Sequence, residues 1–293
     1  MKEPFLDVVR LSKFNVDRLK MINKIIDEYR SQGYTLTLRQ LYYQLVSRGI
    51  ILNKSEEYAK LSVILVRGRM AGIIDWESIE DRIRVPKIPY YVHNVPDAFD
   101  DMIRSYRLDR LKDQDVYIEV WVEKDALSGV LSRVTDEYHI RLMVNRGYSS
   151  ATAMYDAAKR FILNSGKSGH ILYLGDHDPS GMDMVRDIRA RIKEFGADVN
   201  IHHIALTDEQ IKKYNPPPNP AKIKDPRAKA YIAKYGRTSW EVDALKPEIL
   251  NTLLKTQIDL LIDHKKYNNM VNQEKLDKEE MLEFRVQSAK RKL

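Results

Sequence analysis

The sequence predicts an α/β protein: an N-terminal helical domain, then a Rossmann-like parallel sheet, then a C-terminal helical extension. Three observations predict it. Apolar residues recur at helical spacing through roughly the first 80 residues. A proline-rich break follows at "RVPKIPYYVHNVP", which sets the domain boundary at 94/95 and the two domains at 1–94 and 95–293. From about residue 115, short apolar runs alternate with helical segments, the pattern of parallel strands joined by right-handed crossovers.

The elements follow in order. "NVDRLKMINKIIDEYRSQGY" spaces Val16, Leu19, Ile22, Ile26 and Tyr29 along one helical face, with Asn15 as the expected cap and Gly33 as the stop. "TLRQLYYQLVSRG" opens with Thr37 and Gln40 in a capping box and ends at Gly49. "SEEYAKLSVILVRGRMAG" is a third helix, and the pair fits a helix-turn-helix or winged-helix unit. Beyond the break, "DVYIEVWVE", "IRLMVNRG", "HILYLGD" and "VNIHHIAL" read as strands. "KDALSGVLSRV", "SSATAMYDAAKRFILN" and "PSGMDMVRDIRARIKEF" read as the helices between them. "YNPPPNPAKIKDPRAKA" is expected to be a surface or ordered-on-binding loop. Amphipathic helix runs from "WEVDALKPEILNTLL" toward the charged C-terminus.

Composition narrows the function classes. The 293 residues are 43% hydrophobic with a mean hydropathy of −0.48, which describes a chain with a core to bury. No run approaches the roughly 18 apolar residues of a membrane span, and "MKEPFLDVVRLSK" lacks the apolar stretch of a secretory signal. Cysteine is absent, which excludes disulfides, thiolate metal sites and a cysteine nucleophile. A cytoplasmic location is therefore expected. The formal charge of +7 favours a polyanionic partner, and "LVRGRMAG", "EDRIRVPK" and "SAKRKL" concentrate the basic residues.

The chemistry concentrates at "LYLGDHDPSGMDM". In an open parallel sheet, ligands bind beyond the carboxyl ends of the strands. Glu123 ends the first strand of the α/β region, and Asp176 and Asp178 end the third. At i and i+2 the two aspartates point the same way, and a helix cap accounts for only one of them. Three convergent carboxylates suit an oxygen-preferring cation such as Mg²⁺.

"WVEKDAL", "NRGYSS" and "YLGDHDPSGMD", in that order, resemble the three blocks of a Toprim domain. They are most similar to those of the A subunit of topoisomerase VI and the related meiotic double-strand-break proteins. The likeness covers roughly residues 35–250 and marks a short stand-alone relative. It implies a winged-helix domain carrying a nucleophilic tyrosine, followed by the Toprim domain. It also implies one or two Mg²⁺ ions on Glu123, Asp176 and Asp178, double-stranded DNA as substrate, and a homodimer whose tyrosine meets the partner's metal site.

The family's tyrosine motif resembles "TLRQLYYQLV", which leaves Tyr42 or Tyr43. Leu38, Leu41, Tyr42, Leu45 and Val46 form one apolar stripe, so Tyr42 reads as core. Tyr43 is rotated by about 100° from it and is the expected nucleophile, with Arg39 one turn earlier to favour the phenolate or hold a phosphate. The tyrosine would form a 5′-phosphotyrosyl link that the 3′ hydroxyl can reverse.

Arg67, Arg69, Arg82, Arg84 and Lys124 are the expected DNA contacts. His177 is expected beside the site without ligating, and His202 and His203 on opposite faces of a strand. Gly147 and Tyr148 are expected to shape a turn near the acidic edge, and Glu241 and Asp243 to be structural. "GKSG" at 166–169 precedes a strand and lacks the full phosphate-loop pattern, so ATP-driven strand passage would need a separate ATPase subunit. A nucleoid-associated protein encoded by a phage or plasmid fits this profile. The alternatives are a Toprim nuclease in which water attacks, and a DNA-binding subunit without catalysis.

Overall fold

The computed structural model describes residues 2, 4–5, 11–80, 89–145, 150–221, 223 and 225–290. Arg82, Arg84, Gly147, Tyr148 and the first half of the proline-rich break lie outside the described residues.

The N-terminal part holds α1 (Lys13–Ser31), β1 (Leu36–Thr37), α2 (Leu38–Ser47), α3 (Ser55–Met70) and β2 (Ile79–Glu80). Ser12, not Asn15, caps α1: its hydroxyl accepts from the Asn15 amide at 3.3 Å, so the helix starts one turn earlier than expected. The Thr37–Gln40 capping box forms as expected. Leu19, Ile22 and Ile26 of α1 pack with Leu41 and Leu45 of α2 and Leu61 and Leu65 of α3 into one buried cluster. The seven residues 48–54 join α2 to α3, longer than the tight turn of a simple helix-turn-helix.

After α4 (Val95–Ser105) come β3 (Val116–Val122), α5 (Ser128–Tyr138), β4 (Arg141–Val144), α6 (Ala151–Leu163), β5 (Ser168–Leu174), α7 (Pro179–Glu194) and β6 (Asn200–Ala205). The four strands form one parallel sheet in the order β4-β3-β5-β6. Both faces are covered, as near-continuous apolar strands require. Val120, Val122, Leu172 and Leu174 face α5 and the later α10 (Pro247–Asp259). Trp121, Ile171 and Tyr173 face α6 and α7.

α8 (Asp208–Tyr214), β7 (Asn219–Pro220), α9 (Ala228–Tyr235), β8 (Thr238–Ser239), α10 and α11 (His264–Lys290) complete the chain. The proline-rich stretch is more ordered than a surface loop: Pro216 and Pro217 are buried and β7 pairs antiparallel with β8. Among the described residues, no helix is long and apolar enough to cross a membrane.

The two parts are joined directly. Ala244 enters the N-terminal cluster, Asn251 donates to the Tyr34 hydroxyl at 3.0 Å, and Asn53 donates to Asn219 Oδ1 at 2.7 Å. α2 thereby lies against the carboxyl edge of the sheet.

Candidate active site

The chain leaves β3 for β4 on one side and returns to β5 on the other. The switch point of the sheet therefore falls between β3 and β5, the crevice where open α/β sheets bind ligands. Val122 pairs with Leu174 at its end, so the residues that follow are brought side by side. The Asp176 amide donates to Glu123 Oε2 at 3.1 Å, which puts two expected ligands in contact. Asp178 caps α7, its Oδ1 accepting from the Ser180 amide (3.0 Å), the Ser180 hydroxyl (2.8 Å) and the Gly181 amide (2.7 Å). Gly181 must be glycine, because a Cβ there would lie 2.1 Å from the Asp176 carbonyl oxygen. One aspartate is thus helix punctuation and the other is not.

Two acids that sequence reasoning set aside as structural stand at the centre of the site. The backbones of His177 and Trp240 exchange two hydrogen bonds, and the Val242 amide donates to Asp176 Oδ1 at 2.9 Å. This lays Glu241 and Asp243 across the strand ends. Their i, i+2 spacing repeats that of Asp176 and Asp178, and it was the available signal. Lys124 Nζ meets Asp176 Oδ1 at 2.9 Å, Glu241 Oε2 at 2.7 Å and Asp243 Oδ1 at 2.8 Å. Burial works against its charge, but Asp243, Asp176 and Glu241 outweigh it and hold the ammonium well above the ordinary lysine range. Lys124, an expected DNA contact, is turned inward onto acids.

Arg39 closes the group from α2, its Nε meeting Asp243 Oδ2 at 2.8 Å and its Nη2 pairing with Glu241. Burial pushes the Glu241 carboxyl up, yet Lys124 and Arg39 prevail and hold it at about 2. Asp176 goes the other way. Burial is the largest cause, Lys124 opposes it, and Glu123, Asp243 and Glu241 add to it, leaving the carboxyl at about 7.

Tyr43 is buried at 4% exposure although it lies off the apolar stripe of α2. The reason is tertiary: the face opposite the helical core packs on the 240–244 segment. Its ring lies under the Arg39 guanidinium at 5.6 Å, and its hydroxyl is within hydrogen-bonding reach of Glu241. Burial and the Asp243 and Glu241 carboxylates raise its pKa, so Arg39 does not yield a resting phenolate. Tyr42 is core, donating to Asn53 Oδ1 at 3.0 Å. Tyr43, Tyr58, Arg39, Asp178, Trp240 and Glu241 line one cleft of about 540 Å³ between the two parts of the chain. Of the three expected ligands, Asp178 lines this cleft with Tyr43 in the same chain, where a partner's site had been expected to meet the tyrosine.

The remaining expected residues divide. Arg67 is exposed on α3, beside a larger cleft between α1 and α3 that is away from this chemistry. Arg69 turns inward, donating to the Ile79 carbonyl at 2.7 Å. His177 is fully buried between Tyr231 Oη (2.8 Å) and Asp208 Oδ1 (3.2 Å), which supports the motif from behind and leaves it unable to touch a phosphate. His202 meets His170 while His203 packs on Tyr173, on opposite faces as expected. Lys167 of "GKSG" donates to the carbonyls of Leu111 and Lys112, a structural use.

The acids at this edge are oxygen donors of the kind a hard divalent cation takes, although among the described residues no group of three or more is arranged to hold one. Asp176, Glu241 and Asp243 meet Lys124, and Glu241 and Asp243 also meet Arg39. Tyr173 is fully buried, and its hydroxyl lies near Glu123 without forming a well-shaped hydrogen bond. Asn145, which follows β4 at the same edge, is 1% exposed with both amide atoms unpartnered. No protein-family model matches the chain, and no curated protein matches it.

Proposed function

We propose that the chain is a Mg²⁺-dependent DNA-cleaving and rejoining protein of the topoisomerase VI A-subunit type, with a Toprim sheet, a winged-helix α1–α3 unit and Tyr43 as nucleophile. One observation carries it: Tyr43 and Asp178 line the same cleft at the switch point of a parallel sheet. Tyr43 Oη attacks a DNA phosphorus and its proton is lost to solvent in the cleft, because Glu241, held at about 2 by Lys124 and Arg39, is too weak a base to take it. The bond from phosphorus to the 3′ oxygen breaks, and that oxygen takes up a proton from solvent. Tyr43 is then linked to the 5′ phosphate until the 3′ hydroxyl attacks in reverse. Arg39 has one guanidinium nitrogen uncommitted, and it lines the cleft where a phosphate oxygen can reach it. A divalent cation on Glu123, Asp176 and Asp178 would neutralise charge on the pentacoordinate phosphorus and the leaving oxygen. Two copies would cut both strands of a duplex.

The raised pKa of Tyr43 favours a second reading, in which water attacks and Tyr43 only positions the phosphate. Incubation with duplex DNA and Mg²⁺, then denaturation, separates the two. Covalent protein–DNA adducts that vanish in Tyr43→Phe and persist in Tyr42→Phe uphold the transesterase. Cleavage without adducts replaces it with the hydrolase, and no cleavage under any condition retires both.

A further inference from the structure

Lys124 is the residue whose position the reaction does not use. It follows Glu123 in extended backbone, so its side chain leaves the strand end on a flexible four-carbon stem. Its ammonium meets oxygens of three carboxylates at 2.7–2.9 Å, and one of them, Asp176, is also a ligand of the proposed cation. We propose that Lys124 is an internal counter-cation, filling the acidic cluster in the metal-free protein and leaving it when a divalent cation binds. The inference rests on the cluster being a metal site.

The pairing pattern supports an exchange over a fixed bridge. Glu241 and Asp243 keep Arg39 when Lys124 departs. Asp176 keeps only the neutral Val242 amide and has Glu123 in contact, so it is the group that then needs a new cation. A point-charge ammonium can be given up one contact at a time, whereas a bidentate guanidinium must break two bonds together. The buried Tyr173 hydroxyl beside Glu123 has no well-formed partner in the lysine-filled arrangement and gains one if Glu123 turns toward a cation. The cleft lined by Asp178 and Glu241 offers the ammonium a wet place to go, where DNA phosphate would receive it.

The test uses the full chain and metal alone. Mg²⁺ and Mn²⁺ are titrated calorimetrically into wild type and Lys124→Met, which keeps the stem and removes the charge. The variant is expected to bind about tenfold more tightly or better. In parallel, lysines of the native wild type are reductively methylated with and without Mn²⁺, and the Lys124 peptide is read by mass spectrometry. Labelling is expected to rise several-fold with metal, and this arm stands alone if the variant does not fold. Metal binding with unchanged or weaker affinity in the variant, or with Lys124 still protected, overturns the exchange and leaves the metal site standing. If neither protein binds metal, the exchange and the metal site fall together.

Discussion

Glu119 in the middle of β3 and Asp176 just past the end of β5 are both buried carboxylates, and their surroundings are opposite. Glu119 is fully buried and fully answered: Arg160 grips it through Nε at 2.6 Å and Nη2 at 2.9 Å, Trp121 Nε1 donates at 2.9 Å and Tyr117 Oη at 2.8 Å. One anion meets one guanidinium and two neutral donors. Asp176 shares a single lysine with two other acids and touches a third. Burial and like charge lift its carboxyl to about 7. A balanced buried carboxylate is scaffold, whereas an overloaded one marks a place where charge is meant to change.

The sharpest way to break this contrast is Arg160→Met. It strands a fully buried anion and should cost about 3–5 kcal/mol in urea unfolding. A cost near that of an exposed pair would erase the distinction.

Asp176→Asn should act in the opposite direction. In metal-free buffer at pH 8 it should stabilise the fold by on the order of 1–3 kcal/mol, and with Mg²⁺ added it should abolish cleavage. The sign follows from a folded carboxyl raised from 3.8 to about 7. Its contribution is present below the unfolded value and is lost as pH rises through about 7. With a chelator present, wild-type melting temperature should therefore fall relative to Asp176→Asn between pH 5 and 8. Divalent-cation affinity should rise over the same window. Parallel melting curves for the two proteins would remove the contrast with Glu119.

Tyr43→Phe should change stability by only about 1 kcal/mol, since it removes one hydroxyl near Glu241 and leaves the ring packed. Adduct formation should nonetheless disappear. A large loss of stability would make Tyr43 scaffold like Glu119. The smallest effect is expected at exposed Arg67. Arg67→Ala should leave stability within about 0.5 kcal/mol, and if α3 touches DNA it should lower the salt slope of binding by about one.

Much of this was legible locally. The Thr37–Gln40 box, the apolar face of α1, the four strands and the GDHDPSG turn all appear where short-range patterns put them. What was not legible shares one cause. Tyr43 was read from the stripe of its own helix, but a second surface covers the other side. Glu241 and Asp243 were read from their neighbourhood in sequence, but their partners lie 117 and 119 residues away at Lys124. Lys124 was read as a free cation because nothing nearby in the chain showed the acids waiting for it.

By itself, then, the sequence determined the elements, the caps and the acids at the strand ends, because periodicity and cap hydrogen bonds act over a few residues. Only the tertiary structure decided that β5 lies beside β3 with β4 outside, that the 240–244 segment crosses their ends, and that α2 closes over it. Those choices depend on burying two sheet faces and one helical core at once, which no local pattern encodes. They bring Tyr43, Arg39, Asp178 and Glu241 to one cleft and set Lys124 against the acids beside it.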